Sequence, residues 1–371
     1  MTHVQRTRGL TMVELLVALF LASFVMVAVI QLLGVTLDMW TRGESRRSVI
    51  ERSSSTLEML ADDLRALEGG ALGDLLCDWA RFDLDGDNQP DRIWPRLRLV
   101  RQAGAPLMQR LAMRDLDPEQ IAALDFEGLR PDVPPDPADP SGFVEVVWVV
   151  LPAGKDAPYE GVLFRGERIL SDDTRAAFLD DQYFGTGEQP APGSVDEVGA
   201  GILWLGFEFA TQTSIVREGW KVGSGLADAS ASWDAWNRGR PNREASVRNE
   251  AGRGMPRVDG EPLLPRRVRL TLELESRNDA RTRTTLSRTV DAQDAQLFVE
   301  RGDLLPTEPN SHVWIAGEWM QVLEVRGNTL RVSRGARQTT ARNLPAGATV
   351  HFGSPVTTEV PIPLYKDDWN L

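Results

Sequence analysis

An α+β fold is predicted: a long N-terminal helix whose first half crosses a membrane, antiparallel β-sheets packed on its second half, and a small all-β insertion near the C-terminus. Three features lead to it. Residues 15–37 are apolar apart from Ser23, Gln31, Gly34 and Thr36. An amphipathic stretch follows, and beyond Gly69-Gly70 the pattern changes to strand-like alternation. At 371 residues, 42% hydrophobic and 26% charged, the chain has the composition of an ordinary globular protein and enough length for a sizeable core.

The helix comes first. As an α-helix at ~1.5 Å per residue, the apolar run is about 35 Å long, against roughly 30 Å of bilayer hydrocarbon. Arg6 and Arg8 precede it, which by the positive-inside tendency leaves the leader in the cytoplasm and the bulk outside. Arg42, Arg46 and Arg47 follow it, accompanied by Asp38, Glu44 and Glu51. A cleavable secretory signal fits poorly, because the run is too long, no A-x-A site closes it and an acid lies within it. A plain anchor leaves Glu14 unexplained, since a carboxylate at the centre of a membrane helix costs about 2.5–3.5 kcal/mol, and less near its end. Past Gly43, read as an interruption, Leu57, Leu60, Leu64 and Leu67 fall on one helical face, the face expected to pack on the rest of the protein.

Six segments read as strands: RLRLV (96–100), VEVVWVV (144–150), GVLFRGE (161–167), ILWLGFEFA (202–210), RVRLTLELE (267–275) and TTEVPIPL (357–364). The alternation of Val268, Leu270, Leu272 and Leu274 predicts a half-buried antiparallel sheet. Proline-rich stretches at 130–142 and 187–199 read as surface loops, and residues 212–260 as an extended loop. Residues 292–353 change composition again and read as short strands with a hairpin at Arg326-Gly327-Asn328. They are inserted between a strand near 284–290 and the last strand, as either a docking surface or a decoration. Trp314 and Trp319 within them are assigned to no site.

Several function classes are disfavoured. The net charge of −13 argues against nucleic acid as a partner. Cys77 is the only cysteine, so neither an intramolecular disulfide nor a thiolate cage can form. His3, His312 and His351 have no metal-ligand spacing, and there is no GxSxG or GxxxxGK[ST] motif. No catalytic residue is assigned, and no enzymatic activity is expected. The stretch FDLDGDNQPDRIW places Asp83, Asp85, Asp87 and Asp91 at relative positions 1, 3, 5 and 9, where carboxylates on a tight loop converge and suit a structural Ca²⁺. It is not an EF-hand, because Gly86 is at position 4 and Trp94 stands where the bidentate glutamate belongs. A solvated acidic turn would have the same composition.

The segment RGLTMVE (residues 8–14) resembles the class III signal of type IV prepilins and type II secretion pseudopilins. The resemblance implies that a prepilin peptidase cuts after Gly9 and methylates the new N-terminal residue, Leu10. Glu14 then becomes the fifth mature residue and serves subunit assembly. Cleavage would release an α-amino group with a pKa near 7.7–8, cationic at neutral pH. It could pair with the glutamate of a neighbouring subunit, while Glu14 itself lies in the first helical turn, where the dipole favours an anion. LADDLRAL (60–67), together with LLPRRVRLTLELE (263–275) and its Pro265-Arg266-Arg267 opening, resembles the J-type minor pseudopilin. The K-type characteristically lacks the fifth-position glutamate.

This resemblance implies a leader at 1–9, a transmembrane half-helix at 10–37 and an amphipathic half at 38–68. A periplasmic head follows at 71–291 and 354–371, with the β-module at 292–353 inserted in it. The implied function is assembly into the tip complex of the periplasmic pseudopilus for protein export. The implied partners are I- and K-type minor pseudopilins, the major pseudopilin, the prepilin peptidase and the inner membrane. A minor pilin of a type IV pilus shares the signal. A membrane-anchored periplasmic binding protein or carbohydrate-active enzyme is the alternative from another class.

Overall fold

Helix α1 (Met12–Arg65) runs through 54 residues without a proline. The single long helix expected from the sequence runs on through Gly43, because a lone glycine weakens a helix by about 1 kcal/mol but does not end it while its neighbours keep their hydrogen bonds. The computed structural model describes residues 12–83, 86, 90–114, 140–154, 159–170, 195–210, 233–235, 262, 264–265, 267–275, 283–308 and 311–362. The chain divides into two units, Met1–Val49 and Ile50–Leu371.

In the first unit, Leu15–Leu37 has a mean hydropathy of 2.7 with none of it buried, so this helix is long and apolar enough to span a membrane. In the second unit the end of α1 lies apolar side down. Leu57, Leu60, Ala61, Leu64 and Leu67 are buried, in the helical spacing legible in the sequence. Past the helix the Leu67 backbone bridges to Arg101, and the Glu68 N–H donates to the Val100 carbonyl at 2.9 Å.

That carbonyl belongs to a large antiparallel sheet. Its strands are β1 (Leu75–Phe82), β2 (Arg92–Gly104), β3 (Pro140–Pro152), β4 (Gly161–Ile169), β5 (Val195–Ala210), β6 (Trp233–Asp234), β7 (Arg267–Leu274) and β14 (Ser354–Pro361). They are ordered β14-β7-β5-β4-β3-β2-β1-β6. The six segments read as strands fall in it, the last of them as far as Pro361, with 363–364 outside the described residues. On β7 the alternating Val268, Leu270, Leu272 and Leu274 are buried, while Arg269 and Thr271 are partly exposed. The chain is therefore broadly α+β.

Three features depart from the sequence reading. β6 lies inside the expected 212–260 loop, with Trp233 fully buried beside Cys77. Two residues are too few to show periodicity, so burial of one indole places this strand. β3 and β5 begin inside the two proline-rich stretches, at Pro140 and Val195, because their partner strands are long enough to extend the ladders. A short helix, α2 (Ala105–Arg114), follows β2 directly; it packs where Gly142 leaves room, since a Cβ there would lie 2.6 Å from Met108 Cε.

The sheet curls. Strands β3 and β4 separate β2 from β5, yet Arg92 Nη2 and Trp94 Nε1 on β2 both donate to the Leu203 carbonyl on β5, at 2.9 and 3.1 Å. Right-handed twist accumulated over neighbouring strands brings them face to face. One face of the central strands receives α1, and the other lines the inside of the curl.

Between β7 and β14 the chain builds a smaller β unit. It contains β9 (Gln296–Phe298), β10 (His312–Ile315), β11 (Glu318–Arg326) and β12 (Thr329–Ala336), ordered β10-β11-β12-β9, and a short pair of β8 (Thr284–Thr285) with β13 (Thr349–Val350). β11 and β12 are joined at Gly327-Asn328, at the hairpin read from sequence. A single core of buried side chains fills the unit and reaches from Leu286 and Val290, ahead of Ala292, to Val350. Gly302 crosses the hairpin so closely that a Cβ would lie 1.8 Å from the Gly327 carbonyl oxygen. Fully buried Glu318 closes the unit: Arg334 donates to both its oxygens at 2.7 Å, and the Gly335 and Arg342 N–H groups donate at 3.0 and 3.1 Å.

Candidate functional site

The apolar helix is the feature that most needs a function. Its exposed stripe has no neighbour to bury it in water: Phe20, Phe24, Leu32 and Met39 are all at least 68% exposed. A contiguous apolar surface of this length marks a membrane or a partner. Its hydroxyls are satisfied internally, Ser23 Oγ donating to the Phe20 carbonyl and Thr36 Oγ1 to the Leu32 carbonyl, each at 2.8 Å. Neither would be left unpaired in hydrocarbon. Glu14 lies in the first turn of the described helix, its side chain outside the described residues. Gly9 and Leu10 are outside them too.

In the second unit, the end of α1 is held by charge as well as by leucines. Asp63 lies on the leucine face, between Leu60 and Leu64, and is 1% exposed. It accepts from Trp148 Nε1 on β3 at 2.8 Å, and from Arg165 Nε and Nη2 on β4 at 2.8 Å each. Arg101 on β2 stands 3.4 Å away and continues to Glu167 at 2.9 Å, and Arg110 of α2 reaches Glu167 at 3.3 Å. One buried carboxylate on α1 thus ties the helix to three strands. On the opposite face, Arg98 is fully buried between Asp74 and Glu145, and Arg168 bonds Glu145 as well.

Each carboxylate faces a guanidinium, which suits a mechanical clamp; a general base needs a free lone pair beside a substrate pocket. Burial alone would raise the Glu167 pKa, but hydrogen bonds and charge from Arg165 and Arg101 override it and hold the carboxyl below its usual 4.5. A lowered folded pKa contributes stability that is complete above the unfolded value and lost as pH falls through the folded one. Glu167→Gln is therefore expected to lower the melting temperature at neutral pH, with the gap to wild type narrowing as pH falls below the usual carboxylate range. Melting curves of both proteins across that range check this, and a gap independent of pH would overturn it.

The acidic loop is seen only at its ends. Asp83 Oδ1 accepts from the Gly86 N–H at 2.7 Å, with Gly86 at φ 82°, and the Asp91 N–H donates to the Phe82 carbonyl at 2.8 Å. Asp85 and Asp87 lie outside the described residues, and no group of three or more metal-ligating side chains occurs among the described ones. The clamp residues were absent from the sequence reading. The signal for them is a charge where an apolar residue belongs: Asp63 on a leucine stripe, Arg98 in RLRLV and Glu145 in VEVVWVV. No family model matches this chain, and no curated protein matches it in sequence.

Proposed function

We propose that this chain is a minor pseudopilin of a type II secretion system, of the J-type, that acts by assembly rather than by chemistry. The leader is cytoplasmic, the Leu15–Leu37 span sits in the inner membrane, and Ile50–Leu371 is periplasmic. The processed helix joins those of the I- and K-type and major pseudopilins in the tip complex of the pseudopilus, which drives protein export. Any Ca²⁺ held by Asp83, Asp85, Asp87 and Asp91 would brace a loop.

The observation that carries this reading is a 23-residue apolar span none of whose residues is buried in its own chain, with Glu14 immediately before it in the first turn of the helix and Gly9 ahead of that. Exposed apolar surface, a small residue at the cut and an acid able to pair with a newly made amine are together what a processed, bundled helix needs. The ion pairs under α1 support a scaffold that transmits load.

Mass spectrometry of the protein purified from membranes tests the reading. The expected N-terminus is N-methylated Leu10, with residues 1–9 gone. An intact Met1 would overturn it. A methylated Leu10 in a cell that carries pilus genes and no secretin partner set would move the assignment to a type IV minor pilin.

A further inference from the structure

Where the small β unit meets the inside of the curled sheet, buried donors outnumber acceptors. Six N–H groups there have no hydrogen-bond partner among the described residues: Arg92 Nε and Nη1, Trp314 Nε1, Trp319 Nε1, Arg337 Nη1 and Arg342 Nε. They belong to one locality. The Arg92 guanidinium carbon lies 4.8 Å from the Trp314 ring centre and 5.5 Å from that of Trp319, and the Arg337 carbon lies 4.2 Å from the same Trp319 ring. Arg342 joins them through Nη2, which donates to the carbonyl of Pro90, two residues before Arg92.

The charge is unbalanced in the same direction. Glu273 pairs with Arg337 at 2.8 Å. Among the described residues Arg92 bonds only neutral acceptors, the carbonyls of Tyr159 at 2.6 Å and Leu203 at 2.9 Å. Burial, and then the charge of Arg337, pull the Arg92 pKa down to about 9, and the nearby charges of Glu273 and Glu275 offset this only in part. Aromatic faces offset part of that through cation–π contact, but they do not supply acceptors for in-plane N–H groups. Unfilled donors at this density in a native interior call for a missing acceptor.

The backbone around the cluster is strained as well. Arg337 and Gln338 take left-handed φ values of 52° and 65°, and Ala316 one of 43°. Non-glycine residues are held there only where the surroundings impose it, which is common at binding sites.

We propose that this joint is a binding site for one small oxyanion, a carboxylate or phosphate group, taken between Arg92 and Arg337 with the indole N–H groups of Trp314 and Trp319 completing its shell. With Nη2 spent on two carbonyls, the free Nε–H and Nη1–H of Arg92 diverge, so the oxyanion takes one charge-assisted N–H from Arg92 and one from Nη1 of Arg337. A bound oxyanion also balances the second cation and locks the small unit to the sheet. This site stands apart from the secretion reading, and neither depends on the other.

The test uses the full-length chain in detergent micelles and reads tryptophan emission, since the cluster is built of indoles. Sodium phosphate and sodium acetate are titrated separately at constant ionic strength set with sodium chloride. The expected result is a saturable change with phosphate, acetate or both; the arm that saturates identifies the group. Arg92→Met should weaken it by about tenfold or more, the scale of a lost hydrogen bond to a charged group. Should that variant misfold, phosphorus-31 line broadening of inorganic phosphate by the wild-type protein gives the same answer, as does density for the anion in crystals grown in phosphate. No saturable response to either anion, an equal response to chloride, or density showing only water on the six donors would overturn the proposal.

Discussion

Asp63→Ala is expected to cost about 3–5 kcal/mol of stability, as removing one partner of a buried ion pair does. Its carboxylate is 1% exposed and satisfies an indole N–H and both arms of Arg165. Alanine leaves the buried Trp148 N–H without its acceptor and Arg165 with Glu167 as its remaining carboxylate, and the N–H cannot be rehydrated without lifting α1 from the sheet. Asp63→Asn should cost less, since an amide oxygen still accepts while the charge is gone. Urea unfolding followed by far-ultraviolet circular dichroism measures both. A loss below about 1 kcal/mol for alanine would mean that the leucine face alone holds the helix.

Glu14→Ala should leave removal of residues 1–9 intact while reducing recovery with the partner pseudopilins by about tenfold or more, given the 2–5 kcal/mol lost when one member of a buried charge pair is truncated. The proposed partner is the N-terminal amine of a neighbour, which exists only after cleavage. In a bilayer such a pair is costly to leave half-made, so the loss should appear in assembly rather than in insertion. Co-purification with tagged partners, together with the mass of the mature N-terminus, reads both effects. Recovery equal to wild type, with processing intact, would remove Glu14 from the assembly mechanism.

How much could be read in advance follows the range of the forces involved. The six segments identified by alternation each contribute a strand of the large sheet over their described residues, because burying one face of a strand leaves a local period of two in the sequence. The leucine face of α1 was legible for the same reason at a period of 3.6. β6 was not, since Trp233 and Asp234 are placed only by the edge that β1 offers them. Gly43 interrupts the pattern and not the helix, because helix continuity is cooperative over many residues.

The candidate sites divide along the same line. The N-terminal signal and the acidic loop are contiguous strings, so their chemistry could be named from residue order, from Arg8 to Glu14 and from Asp83 to Asp91. The clamp and the arginine–tryptophan joint join residues far apart in the chain: Asp63 meets Arg165, and Arg92 meets Trp314 and Trp319. Sequence alone determined that a membrane-length helix precedes a strand-rich region, since hydropathy and period are local sums. Only the tertiary structure decided which charges are buried, what they pair with and where donors are left over, because burial is a property of the folded surroundings and not of the residue.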